Sequence, residues 1–511
     1  MPAEQKKHSE FARVGGFGRA QMLFVAFALA AWVVHGMQVM QIVFITNEAA
    51  QSFQEEPYLV KVNASFFFAG WILGLTLWGW MAARKGWLAA LIAIETCVCV
   101  FGIASATAPN GIFFVTARFL CGFAEGGVPT ISFGWVSELV PPHLKPRIGT
   151  ILQFGFMAGS LLIDASSYML PGNWRIVSAI PALSCLPVLI GAFFLPESPR
   201  WLSRVGRSDE SKLVMKKIAQ WNGVSWLHDP DAHELDHALQ ANTKGSLPTE
   251  EDVHTPLQFH NSNDLGGSIS PAEEDGPPPP QRQKTAGSVA DLFLSDSSVL
   301  LISSIMALHW ITFSTGFFTF SLSTSDLPGG EHHNMLLNLM FQTPGLAITV
   351  FTLERAGRRL TMLSIFSIMS LTCLALAYTV YHSALSSEYK VALSTLGYVT
   401  SACGFSGGYV YTAELFPTDF RSVGLSLSSQ AARVGASLSP LILLLHDASP
   451  VSPFLFMCGL AGASCASCCL LPETLHEPSL ESAHDLRALR SRASWTFLSH
   501  VWVKKIDKAS I

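Results

Sequence analysis

Tyr411–Pro440 reads YTAELFPTDFRSVGLSLSSQAARVGASLSP: the end of one apolar run, a turn marked by Pro417 and Arg421, and a second run that carries Arg433 far inside. A guanidinium at the centre of a membrane helix costs roughly 2.5–3.5 kcal/mol on an insertion scale, whereas each Leu or Ile returns only about 0.3–0.6. The run after Gly424 is therefore poorly suited to lipid on every side. Ser422, Ser426, Ser429, Arg433 and Ser437 recur at steps of three or four residues, which sets them on one helical face. That face requires water, a partner or a ligand, and an ionisable group within a membrane marks a pathway by default. The competing reading is structural: Arg433 pairs with a carboxylate or with helix-end carbonyls and only locks a bundle.

The remainder of the 511-residue chain supplies the membrane context. It is 50% hydrophobic and 14% charged, with mean hydropathy +0.37, too apolar and too long for one soluble core. About twelve apolar runs approach the roughly 20 residues that cross hydrocarbon as helix. They centre near residues 33, 72, 97, 124, 158, 185, 309, 344, 371, 401, 435 and 461.

The formal charge of −5 hides an asymmetry: Lys and Arg gather in both tails, at Arg84 and Lys85, at Lys145 and Arg147, from Arg200 to Lys217, at Arg355 to Arg359 and at Arg421. The alternate connections offer little beyond Lys61, Arg175 and Lys390. By the positive-inside rule both termini and the long central connection face the cytoplasm, in the plasma membrane or an internal vesicle membrane. All ten cysteines fall in or beside the apolar runs and read as small packing residues, so neither a disulfide framework nor a metal site is expected. The first run is long enough to be retained as a span, so no cleaved leader is expected.

The two halves repeat. One offset of 276 residues separates Glu138 from Glu414, Pro141 from Pro417 and Pro196 from Pro472. The expected fold is thus an all-α membrane protein of twelve transmembrane helices in two six-helix halves. A cytoplasmic tail at 1–20 precedes the first half at 21–197. A cytoplasmic linker follows at 198–297, then the second half at 298–472 and a tail at 473–511. Within the linker, Ser208 reads as an N-cap and Gly223 as a stop, so a surface helix is expected over Asp209–Asn222. The acidic Ser, Gly and Pro-rich stretch from about His228 to Ala290 reads as disordered.

Polar residues inside the runs are the candidate functional set. His35, Gln38 and Gln41 turn part of span 1 toward the bundle interior. Span 4 contains Gly122, Gly126 and Gly127, at spacings that let backbones approach, and Glu125, which pairs with Arg118 or serves as a proton site. Asp164 in span 5 is a second candidate for proton coupling. Asn63-Ala64-Ser65 matches a glycosylation sequon but lies so near the membrane that no modification is expected. No nucleophile–base pair, metal-ligand cluster or phosphate loop stands out. No enzyme activity, cofactor, metal or nucleic-acid partner is expected.

PESPRWL at Pro196 to Leu202, YTAELFPTDFR at Tyr411 to Arg421, Ala432-Arg433-Val434-Gly435 and Leu471-Pro472-Glu473-Thr474 stand in one order and spacing. With these motifs the chain resembles a major facilitator superfamily transporter, and within it the organic ion transporters and the synaptic-vesicle-two-like branch. The resemblance implies substrate held between the halves near mid-membrane. It also implies a cytoplasmic latch of Arg84, Glu138, Arg147, Glu354, Arg355, Arg358, Glu414 and Arg421. The family's position for Arg433 is basic in anion and carnitine carriers, so an organic anion or zwitterion is implied. Phe317, Phe318, Phe405 and Phe156 match its aromatic pocket positions, and Trp310, Ser429 and Gln38 complete the expected substrate site. Ordinary helix packing is the plainer reading of each phenylalanine. Ala83 stands where the family usually has Asp, Leu346 where some anion carriers have a second base, and the large outer domain after span 1 is absent.

Three functions follow as expectations. The first is alternating-access transport of a small organic anion or zwitterion by a monomer. The second is proton-coupled symport of a sugar or small polar metabolite, or exchange against a counter-solute. The third is a non-transporting membrane protein that keeps the carrier fold.

Overall fold

A computed structural model of the chain describes residues 15–53, 57–141, 144–224, 297–382, 387–417, 421–475 and 480, and among these the regular elements are all helical. Hydrocarbon leaves little choice, because each backbone N–H and C=O must be satisfied within its own segment. The first six spans are α1 (Arg19–Ser52), α2 (Asn63–Lys85), α3 (Trp87–Ala106), a split span of α4 (Gly111–Glu125) and α5 (Val128–Leu139), α6 (Lys145–Met169) and α7 (Trp174–Ala192). Two connecting helices follow, α8 (Pro199–Arg204) and α9 (Ser208–Trp221). The second six spans are α10 (Ser297–Leu322), α11 (Glu331–Arg355), α12 (Arg358–His382), α13 (Ser387–Leu415), α14 (Arg421–Leu444) and α15 (Ser452–Cys468). Among the described residues nine spans are long and apolar enough to cross a membrane individually, and α13, α14 and α15 are the exceptions. α14 is diluted by its serines and Arg433, and α15 has 17 residues.

Packing repeats with the sequence. In the first half α1 packs on α6, α2 on α4 and α3 on α7; in the second α10 packs on α14, α11 on α13 and α12 on α15. The offset of 276 residues holds for atoms as well as motifs. Trp135 Nε1 donates to the Pro196 carbonyl at 3.2 Å, and the Tyr411 hydroxyl donates to the Pro472 carbonyl at 2.5 Å. Gly159 lies against the backbone carbonyl of Val33, and Gly435 against that of Ile311. Both contacts exist because no Cβ intervenes, so Gly159→Val forces α1 and α6 apart. Overpacking of this kind costs about 1–3 kcal/mol, and a lower melting temperature of the purified variant is the expected result.

The halves meet chiefly along α2 and α14, with α6 and α11 as a lesser pair. We call the side bearing Arg19, Lys85 and Arg421 the terminal face and the opposite side the distal face.

The fourth span breaks at mid-height because Pro129, at the second position of α5, has no N–H to donate to Glu125. Gly126 N–H bonds Gly122 O and Gly127 N–H bonds Ala124 O, tightening the turn. α9 begins one residue earlier than expected, with Arg207 as N-cap in an ion pair with Glu210 at 2.5 Å, and Gly223 at φ 71° ends it. Asn222 then accepts the Ala20 N–H at 2.9 Å and Trp221 meets Phe24 at 6.0 Å, docking α9 on α1. The linker stretch read as disordered lies outside the described residues, as do most of both tails. Asn63 is fully buried and its Nδ2 donates to Thr46 Oγ1 and Val60 O, both at 2.8 Å, leaving no access for a glycan in this fold.

Candidate functional site

Arg433 stands midway along α14, where it faces α2. Its guanidinium lies over the Trp71 ring at 5.1 Å and its Nη1 donates to Ser429 O and Oγ, both at 2.5 Å. The Tyr409 hydroxyl stands beside it. Among the described residues no carboxylate lies within ion-pair distance of Arg433, so the carboxylate version of the structural reading fails, although one backbone carbonyl is engaged.

Aromatic rings continue from this point into both halves. Trp71 meets His35 edge-on at 5.1 Å, and His35 meets Phe156 at 5.6 Å. On the other side Phe405 lies 5.8 Å from Trp310 and 6.1 Å from Phe317, Phe317 lies 5.2 Å from Phe318, and Phe318 crosses to Phe68 at 4.5 Å. The predicted phenylalanines and Ser429 are thus gathered around Arg433. Trp310 and Gln38 are instead packed inside their own halves. Trp310 Nε1 donates to Thr412 Oγ1 at 3.1 Å, and Gln38 Oε1 accepts from Gln41 Nε2 at 2.5 Å. Trp71, Tyr409 and His35 belong to the arrangement but are missing from the predicted substrate set.

The two proton-coupling candidates separate. Glu125 Oε2 lies 2.6 Å from His35 Nδ1, both side chains buried, so its partner is His35 rather than the Arg118 considered from sequence. Arg118, fully buried, reaches the Gln38 carbonyl at 3.4 Å and sits over Phe67 at 4.6 Å. A third carboxylate, Glu95 of α3, is buried beside the Cys185 thiol and within the field of Glu125. Asp164 is near the distal end of α6, where Oδ1 lies 2.6 Å from Nδ1 of His332 in α11. It therefore joins the halves. Ser65 Oγ donates to Ser437 O at 2.7 Å at the same side.

The expected latch divides into two clusters, one per half. Glu138 accepts from Trp87 Nε1 at 3.0 Å and Ser198 Oγ at 2.5 Å, and pairs with Arg204 at 2.8 Å. Glu414 accepts from Thr474 Oγ1 at 2.5 Å and a fork from Arg358 at 2.8 and 2.9 Å. Ser198 and Thr474 are again 276 residues apart. Below them Glu197 accepts the Leu88 N–H, while Glu473 accepts those of Arg358 and Arg359. Burial pushes the Glu197 carboxyl above its usual range, with the backbone donors pulling the other way.

The remaining latch candidates are not drawn into a shared network in this conformation. Arg84 lies over Trp80 at 4.4 Å and Arg355 over Phe351 at 4.5 Å, Arg421 Nε reaches the Phe416 carbonyl at 3.4 Å, and Arg147 and Glu354 are exposed. The reason is positional: each cluster belongs to one half, and the pairs joining the halves described above lie at mid-height or distally. Because Arg358 is only 17% exposed, Glu414→Ala strands a cation and is expected to cost about 1 kcal/mol after discounting for solvent. A double-mutant cycle with Arg358→Met checks this, and zero coupling would refute it.

Two similar six-helix halves, an arginine and aromatic rings between them at mid-height, and cross-half contacts at one face define a multi-pass membrane transporter. Two family descriptions match: "Sugar (and other) transporter" over residues 21–256 and "Major Facilitator Superfamily" over residues 334–505. The chain belongs to the major facilitator superfamily and is homologous to organic cation/carnitine transporters and solute carrier family 22 members. It is 28% identical over 446 residues to organic cation/carnitine transporter 4 of Arabidopsis thaliana, covering 86% of this chain and 76% of that one. It is 28% identical to solute carrier family 22 member 16 of Bos taurus, covering 88% and 72%, and 27% identical to member 7 of Mus musculus, covering 84% and 72%. In fold it resembles the inward-open xylose transporter XylE from E. coli, with a TM-score of 0.63 at 17% identity over 92% of this chain and 99% of that one.

Proposed function

We propose that the chain moves a small organic anion or zwitterion across its membrane by alternating access, with Arg433 as the group that receives the substrate carboxylate. The observation that carries this reading is a guanidinium at mid-height between the halves, ringed by aromatic side chains and without a carboxylate partner among the described residues. Rings supply apolar area to a bulky solute, and the guanidinium supplies a planar fork for a carboxylate. Printed names of the relatives include carnitine, itself a zwitterion. Contacts between halves at the distal face suit a state open toward the terminal face, which the charge pattern makes cytoplasmic. The latch residues would then meet across the halves in the opposite state.

A thermal-shift screen against organic anions, zwitterions, cations and sugars tests the substrate class. A ligand at 100 times its dissociation constant stabilises by about 2.7 kcal/mol. Stabilisation by cations or sugars alone would overturn the anion reading. The second reading, proton-coupled symport of a polar solute, draws its support from the buried His35–Glu125 pair.

A further inference from the structure

The His35–Glu125 pair does not stand apart from the substrate arginine. Trp71 separates them, with its ring 5.1 Å from His35 on one side and 5.1 Å from the Arg433 guanidinium on the other. Arg433 acts on His35 electrostatically, as Arg118 and Glu95 do on Glu125. The other rings at His35, Trp32 of α1 and Phe156 of α6, carry no charge. A neutral imidazole donating Nδ1–H to an ionised Glu125 leaves the pair with one negative charge, and a further proton on Nε2 cancels it. The negative pair neutralises Arg433 from behind and weakens its hold on an anion, whereas the proton-loaded pair leaves the cation free to bind one.

We propose that His35 and Glu125 form the coupling site of a proton–anion symporter, in which loading this pair with a proton raises the affinity of the Arg433 site for a carboxylate. This deepens the reading above and rests on it. Coupling is reciprocal: an anion bound at Arg433 holds the proton on the pair by the same factor. For charges on the order of 10 Å apart at an effective dielectric constant near 20, that factor is roughly tenfold.

The test uses full-length protein in lipid nanodiscs with benzoate and L-carnitine as probes, whose carboxylates stay ionised between about pH 5.5 and about pH 8. Binding is measured calorimetrically in two buffers of different ionisation enthalpy, so that proton uptake is read directly. Wild type should bind a probe roughly tenfold more tightly at the lower pH and take up protons on binding. Glu125→Gln, with its pair permanently neutral, should show the low-pH affinity at both values. His35→Gln, which moves the proton to a lone carboxyl, should displace the midpoint of the profile by about one unit or more. Equal wild-type affinity at the two pH values, or binding without proton uptake, overturns the coupling and needs no variant to fold. Undiminished binding by Arg433→Gln, or no binding of either probe to wild type, overturns the anion-carrier reading itself.

Discussion

Arg433→Ala is expected to lower carboxylate uptake, measured as kcat/KM in reconstituted vesicles, by about 100-fold or more, with the protein reaching the membrane at wild-type levels. Hydrogen bonds to a charged partner contribute about 1.5–3 kcal/mol each, so losing a two-pronged fork reaches that factor readily. Folding should survive, because the bonds identified for Arg433 engage its own helix through Ser429, and its other contacts are with Trp71 and the Tyr409 hydroxyl. Removing a central guanidinium even relieves an insertion cost of roughly 2.5–3.5 kcal/mol. Arg433→Lys keeps the charge without the planar fork and should fall between, about tenfold below wild type. If surface protein and uptake decline together in Arg433→Ala, the arginine is a structural lock after all.

How far such a site is legible depends on whether its contacts run along one helix or between helices. The twelve spans, and the offset joining Glu138 to Glu414, rest on hydropathy and local punctuation, and both appear in the coordinates. The serine-and-arginine face of α14 is equally local. His35 and Glu125 are 90 residues apart in sequence, and helical periodicity assigns each to a face without saying which face it meets. Glu125 was therefore considered with Arg118, its neighbour on the same helix. Glu95 lies mid-span in α3 and carried the same signal as Glu125, a lone carboxylate in an apolar run. Gln38 illustrates the converse, since its amide is taken up by Gln41 within the same helix. The latch shows how a repeat diverges: Trp87 and Arg358 each follow a positive-φ glycine, Gly86 and Gly357, and each binds the repeated glutamate. In the first half the cation comes instead from Arg204.

Asp164→Ala should shift the conformational balance toward a distally open state by about tenfold. The His332–Asp164 contact joins α6 of one half to α11 of the other at 2.6 Å, and Phe44 of α1 stacks on the same imidazole at 5.5 Å. Opening the distal face must separate these groups, so their attraction favours the closed arrangement and is absent from the transition's other end. A fully buried pair broken at one partner costs about 3–5 kcal/mol, but His332 is 28% exposed, and a discounted figure near 1.4 kcal/mol is a factor of ten. His332→Ala should act in the same direction, and the double variant should add little to either single change because both remove one contact. Labelling of a cysteine placed at Ser65, whose Oγ now donates across the halves to Ser437 O, reports the opening in a background without other accessible thiols. Unchanged labelling in both single variants would mean that this contact forms without governing the distal closure, and the α2–α14 packing would then have to hold that face alone.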